Sequence, residues 1–236
     1  MLECSGLRRR FGALVAVDGV GFHIDPGETY GLLGPNGAGK TTAISMIAGL
    51  LERDDGEVMV AGEPISTYAV RAKRAIGYVP QDLAIYPDLS ARENLVFFAR
   101  LYGMPTAQAK RRSDEVLKVI GLADRAKDQT KTYSGGMKRR LNVGIGLLHH
   151  PELLILDEPT VGVDPQSRNS ILESVEGLSG AGMAVLYTTH SMEEAERLCD
   201  RVGIIDHGRL IAEGTPRELV RLVGERDRVA CRRQAI

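Results

Sequence analysis

Along this chain, short apolar runs of strand length alternate with stretches whose apolar residues return at helical spacing. "AVDGVGFHI" (Ala16 to Ile24) alternates in part and leads into the turn signal Asp25-Pro26-Gly27. "ETYGLLG" (Glu28 to Gly34) is a short apolar strand ending in glycine. In "KTTAISMIAGLL", Ala43, Ile44, Ile47 and Leu51 fall at helical spacing. Strand, glycine loop and helix form one unit. "GEVMVAGEPI" and "AIGYVPQD" add two strands.

From about Ala91 to Ala126 the pattern turns helical. "ARENLVFFARLYG" is one helix, and "TAQAKRRSDEVLKVIGL", with Thr106 as its N-cap, is a second. The stretch 82–135 holds no convincing strand and reads as a helical subdomain inserted into an α/β core. After Ser134-Gly135-Gly136, Met137, Leu141, Val143, Ile145 and Leu148 trace another helix. "ELLILDEP" has the continuous Leu/Ile run of a strand buried on both faces. Then follow a helix ("DPQSRNSILESVEGL"), a strand ("MAVLYTTH"), a helix ("SMEEAERLCD") and a hairpin turning at His207-Gly208. "TPRELVRLV" is a last helix, with Thr215 as N-cap and Pro216 at N1. The basic tail from about Gly224 reads as loosely ordered. No internal repeat appears. Alternating strands and helices imply an α/β fold with a mainly parallel sheet.

The 236 residues suffice for one large domain, and a net charge of −1 creates no global field toward nucleic acid or an acidic membrane. The basic run Arg8 to Arg10 reads as a solvated face. Cys4, Cys199 and Cys231 are odd in number and lack metal-ligand spacing, which fits a reduced, cytoplasmic setting. Met1 leads straight into "LECSGL", without the basic and apolar regions of a leader. No apolar run reaches the roughly 20 residues that span a bilayer. Work at a membrane therefore implies a second chain that supplies the spans.

The chemistry begins at Gly34-Pro35-Asn36-Gly37-Ala38-Gly39-Lys40-Thr41, which matches G-x-x-x-x-G-K-[ST] at every fixed position, with Thr42 next. A strand before it and a helix after it are the context a phosphate loop needs. Its glycines turn backbone N–H groups inward, Lys40 brings charge to the outer phosphates, and Thr41 offers a hydroxyl to Mg2+. Asp157, at the carboxyl end of a buried strand, supplies a carboxylate for the metal, and Glu158 a second acid to polarise a water. His190 ends another strand, expected beside that of Asp157 and within reach of a γ-phosphate. Gln81 is either a ligand of Mg2+ or water, or a plain loop residue. Phe11, in a turn before the second strand, is either an adenine platform or core. A guanine-reading N/T-K-x-D motif is absent from the sequence, which points to ATP rather than GTP.

"KTYSGGMKRRLN" poses a separate question. Ser-Gly-Gly at a helix start leaves backbone N–H groups free for an anion, yet Lys138, Arg139 and Arg140 follow at the end of the helix dipole that disfavours cations. The chain already has a better phosphate loop upstream.

Taken in order, "GPNGAGKT", Gln81, "YSGGMKRR", "LLILDEPT", "GVDP" and His190 resemble the ATP-binding cassette of an ABC transporter over nearly the whole chain. "ENLVFFARLYGM", "YSGGMKRRL" and "EPTVGVDPQSR" look most like the branch that exports drugs, glycolipids or polysaccharides. The resemblance implies a P-loop NTPase core with an N-terminal antiparallel β subdomain. The core takes residues 1–81 and 136–224, the helical subdomain 82–135, and the tail 225–236. It implies Phe11 on adenine, Gly34 to Thr42 as the phosphate loop, Gln81 on Mg2+, Asp157 as metal ligand, Glu158 as general base and His190 as the switch histidine. The resemblance places Asp164 in the D-loop, among the nucleotide-binding residues. Ser134, Gly135 and Gly136 are the signature, which closes over the ATP held by a second cassette. Its consensus is Leu-Ser-Gly-Gly-Gln; here Tyr133 and Met137 replace the outer residues, and Met137 cannot donate the hydrogen bond of Gln. The resemblance further implies a homodimer with two competent sites, docked on a transmembrane permease at the cytoplasmic face of the cell membrane, with no nucleic-acid partner. Phe97, Phe98 and Leu101 are docking or core residues, core being favoured. The alternative, a soluble ABC ATPase acting on ribosomes or DNA, calls for two cassettes or a long coiled-coil insert, neither of which the sequence contains.

Overall fold

The computed structural model describes residues 1–221. The expectations for the tail and for Cys231 fall outside them. Strands β1 (Leu2–Phe11) and β2 (Leu14–Ile24) form an antiparallel hairpin. Phe11 is thus the last residue of a strand rather than part of a turn, and Gly12-Ala13 make the reversal. The run Arg8 to Arg10 lies on β1. Two of its members are ion-paired, Arg8 with Asp18 (2.9 Å) and Arg9 with Asp54 (2.7 Å), so it is not simply a solvated face.

β3 (Thr29–Leu33) runs through the phosphate loop into α1 (Lys40–Ile47). The helix is shorter than its apolar pattern: Gly49 and Leu50 donate back to Met46 O (3.1 Å) and Ser45 O (2.8 Å), a closing pair that stops it before Leu51. β4 (Asp55–Val60) and the short β5 (Glu63–Pro64) complete a four-stranded antiparallel sheet ordered β2-β1-β4-β5.

β6 (Ile76–Val79) precedes two helices, α2 (Ala91–Leu101) and α3 (Thr106–Val119). Ser90 caps α2 through a reciprocal pair with Glu93, whose Oε2 accepts from Ser90 N at 2.8 Å. α3 has no side-chain cap. Its N-cap is Pro105, and Thr106 is the first helical residue, one position later than its predicted role. Between β6 and the next helix, α4 (Gly135–Leu147), the described residues form no strand, only an isolated bridge between Ser90 and Gln129.

β7 (Leu153–Asp157), α5 (Pro165–Gly180), β8 (Ala184–Thr189), α6 (Met192–Leu198), β9 (Arg201–Asp206) and β10 (Arg209–Gly214) follow. The larger sheet is ordered β10-β9-β3-β8-β7-β6, parallel except for the β9–β10 hairpin. Both its faces are covered, which is why β7 and β8 read as unbroken apolar runs. Leu153 and Ile155 join the core beneath the antiparallel sheet and α1; Leu154 and Leu156 join the core built with α2 to α5.

The aromatic residues of α2 depart from expectation. Phe97 is 37% and Leu101 68% exposed, and only Phe98 packs partly into the core. Tyr86, itself exposed, meets Phe97 edge-on with ring centroids 5.0 Å apart. Buried Asn94 holds this loop on α2 by accepting from Tyr86 N (2.8 Å) and donating to Tyr86 O (3.0 Å). The packing base rate favoured core here, and the helix turns these rings outward instead.

Candidate active site

Parallel strands deliver their carboxyl ends to one edge of a sheet, where α/β folds place ligands. Here Leu33 pairs with Thr189, Asp157 with Thr188 and Val79 with Leu156. The phosphate loop, Asp157-Glu158, His190 and Gln81 therefore emerge side by side.

The loop closes tightly on its support. Gly39, the N-cap of α1, has φ +104, and a Cβ there would stand 2.5 Å from Ala16 O. Gly208 of the β9–β10 turn donates to Ala38 O (2.9 Å) and accepts from Asp18 N (2.8 Å), bracing the loop from behind. Lys40 is buried, and its Nζ donates to Gly34 O (2.7 Å) and Pro35 O (3.0 Å) and pairs with Glu158 Oε1 (3.0 Å). Glu158 Oε2 lies 3.2 Å from His190 Nδ1. A single carboxylate thus links two of the sequence-predicted residues.

Glu158 has φ +43, a left-handed backbone that costs a non-glycine residue energy and persists only where neighbours hold it. Its N–H donates to Thr188 Oγ1 (2.9 Å). The same hydroxyl lies 3.0 Å from Asp157 Oδ1, and Thr41 Oγ1 lies 3.4 Å from that oxygen. Burial pushes the Asp157 carboxyl above its ordinary pKa. Hydrogen bonds from Thr188 and Thr41 oppose the shift, the charge of Glu158 adds to it, and that of Lys40 reduces it.

A cleft of about 490 Å³ runs from these groups to the end of the β1–β2 hairpin. Its far end is apolar, with Phe11 48%, Leu14 65% and Val15 38% exposed. Arg9 stacks on Phe11 with its guanidinium carbon 5.1 Å from the ring centroid. Gln81, Asn36, Gly37 and Thr42 also line the cleft. A flat apolar end and a cationic loop at opposite ends suit a nucleotide.

Ser134, Gly135, Gly136 and Asp164 do not line that cleft. Ser134 N-caps α4, its Oγ accepting from Met137 N (3.2 Å), and Ser134 and Gly135 are exposed. Asp164 N-caps α5 by accepting from Ser167 N (2.9 Å), which holds its carboxyl below the ordinary range. The two turns touch: a Cβ on Gly136 would fall 2.1 Å from Ser167 Oγ. The residues flanking the signature are anchors. Tyr133 is buried and donates to Arg125 O (2.6 Å), and Met137 packs on the core.

Sequence reasoning missed three features. Arg140 donates to Ile120 O (3.1 Å) and Gly121 O (3.2 Å), at the carbonyl end of α3, where the dipole favours a cation. Arg139 is buried against backbone carbonyls. Glu194, on the helix after His190, is buried and accepts from Thr160 Oγ1 (2.8 Å), Thr189 Oγ1 (2.8 Å) and Tyr187 OH (3.0 Å). Arg139, Arg140 and the Thr160 bond of Glu194 join residues far apart in sequence, and only the acid and the cations themselves were visible there.

The sequence model of the family described as ABC transporter matches residues 17–161. The chain belongs to that family. Like other ABC cassettes it is a P-loop ATPase that binds and hydrolyses ATP. It is 53% identical over 224 residues to the linearmycin resistance ATP-binding protein LnrL of Bacillus subtilis (strain 168), covering 95% of this chain and 72% of that protein. It is 45% identical over 219 residues to the Nod factor export ATP-binding protein I of Burkholderia thailandensis, covering 93% and 72%. A solved ATP-binding subunit of an ABC transporter superposes with TM-score 0.81 at 32% identity, covering 95% of this chain and 93% of that one. cbiO1 of Clostridium perfringens, part of an ABC transporter complex, superposes with TM-score 0.84 at 28% identity, covering 93% and 90%. Among the described residues, no helix of this ABC cassette is long and apolar enough to cross a membrane.

Proposed function

We propose that two copies of this ABC ATPase close around two ATP molecules and that hydrolysis powers export of a substrate through a separate transmembrane subunit. The observation that carries the reading is the convergence of Lys40, Glu158 and His190 at neighbouring strand ends, beside the paired oxygens of Thr41 and Asp157. In this reading Phe11 stacks on adenine, and the loop N–H groups with Lys40 hold the phosphates. Glu158 takes the proton of the attacking water, and His190, bonded to Glu158, turns toward the γ-phosphate.

The donor set fits Mg2+. Asp157 and Thr41 offer hard oxygens in contact, on a carboxyl whose pKa burial pushes above its ordinary value. Asp157, Thr41 and Gln81 would hold the ion, which when bound neutralises charge on the phosphates. Replacing the buried carboxylate tests this assignment. A group whose folded pKa is raised costs stability once pH exceeds that pKa, so Asp157→Asn relieves the fold at neutral pH. Its Tm is expected to rise by about 2 °C or more while Mg-ATP turnover is lost. A lower Tm in a calorimetric scan contradicts the assignment.

The exposed Ser134-Gly135 turn lies outside its own cleft and would complete the cleft of the second copy, with the Asp164 loop beside it at the junction. In this reading the two phosphate-holding turns of one chain serve different nucleotides. Export follows the relatives named for resistance and for Nod factor export. The outward rings of Tyr86 and Phe97, with exposed Gln81 earlier on the loop that leads to Tyr86, would seat the transmembrane subunit at the inner face of the cell membrane. The chain co-expressed with its permease should sediment with membranes, and Tyr86→Glu with Phe97→Glu should release it while leaving its ATPase activity intact. Retention of the doubly charged variant on the membrane would refute this docking face.

A further inference from the structure

Arg139 is 4% exposed and, among the described residues, forms no ion pair with a carboxylate. A buried guanidinium is costly unless hydrogen bonds satisfy it. Its Nη1 donates to Pro80 O (2.9 Å) and its Nη2 to Glu158 O (3.4 Å). One turn further along α4, buried Asn142 donates to Pro80 O (3.4 Å) and accepts from Ala84 N (3.2 Å). These contacts bracket Gln81 on both sides. Glu158 has a strained, left-handed backbone, held at its N–H by Thr188 and at its C=O by Arg139.

We propose that Arg139 is a positioning residue that ties the Gln81 loop and the Glu158 backbone to the helix whose first turn is Ser134-Gly135-Gly136. A planar fork suits this task, since it spans two carbonyls in fixed geometry. Engagement of the signature turn by a second copy then reaches the proton acceptor and the Gln81 loop through one rigid side chain. The proposal rests on the reading of Glu158 as general base.

The test is steady-state ATP hydrolysis by the full chain. Arg139→Met is expected to lower kcat about tenfold or more, with KM for ATP within about threefold of wild type. Arg139→Lys, which keeps the charge and can reach one carbonyl, should recover part of kcat. Wild-type kcat in Arg139→Met overturns the proposal, as does a fall in kcat with a matching rise in KM and no benefit from lysine. Should the Arg139 variants fail to fold, Asn142→Ser decides: reduced kcat at unchanged KM supports the tie, and unchanged kcat overturns it. Glu158→Gln measured in parallel separates the two readings. Turnover retained by Glu158→Gln removes the base assignment on which the proposal stands. An inactive Glu158→Gln beside a fully active Arg139→Met removes the positioning role alone.

Discussion

Lys40→Ala should leave the chain folded, without measurable ATP turnover, and with ATP affinity reduced by about a hundredfold, the worth of one or two charge-assisted hydrogen bonds. The ammonium joins three parts of the site, donating to Gly34 O and Pro35 O and pairing with Glu158. Its removal takes the charge from the phosphates, leaves Gly34 O without its side-chain donor and Pro35 O with Ala38 N alone, and leaves a buried carboxylate with His190 as its neighbour. Lys40→Arg should rescue little, because a guanidinium is broader than the nearly closed space that holds the ammonium. Fluorescent-nucleotide titration with a phosphate-release assay reads both quantities. Wild-type affinity in Lys40→Ala contradicts the phosphate assignment.

Glu158→Gln should separate binding from turnover. Glutamine keeps the shape of the side chain, and its carbonyl oxygen can still accept from Lys40, so ATP affinity should stay within about threefold of wild type. It cannot take a proton from water, and kcat should fall about 10²- to 10⁴-fold. The pattern of lost kcat at held affinity distinguishes a base from a residue that merely supports the loop. A parallel loss of affinity would assign Glu158 to the structure of the loop instead.

The site was legible wherever its chemistry lies in a local string. The spacing from Gly34 to Thr41 encodes a phosphate loop, and buried strands that end in Asp157-Glu158 or His190 announce the sheet edge that gathers them. What stayed illegible depends on backbone partners. Arg139 and Arg140 looked like misplaced cations at a helix start, because the carbonyls of Pro80, Glu158, Ile120 and Gly121 carry no mark in a sequence. Arg8 and Arg9 looked like solvated charge until β1 and its neighbours brought Asp18 and Asp54 to them. Phe97 and Leu101 were misjudged as core for a related reason: helical spacing sets which residues share a face, and tertiary packing decides which face is covered. In the fold, the parallel sheet followed from alternating elements. The early stop of α1 did not, since its apolar pattern runs on past the turn at Gly49.

The central claim is that one copy's signature turn completes the other copy's Lys40 site. The direct measurement is the solution mass of Glu158→Gln by light scattering with Mg-ATP, alone and combined with Ser134→Arg, which puts a bulky cation at the exposed turn. A shift from monomer to dimer mass with ATP, abolished by Ser134→Arg while Lys40 still binds nucleotide, is the result expected. A Glu158→Gln protein that binds ATP and stays monomeric, or a dimer indifferent to Ser134→Arg, would contradict it.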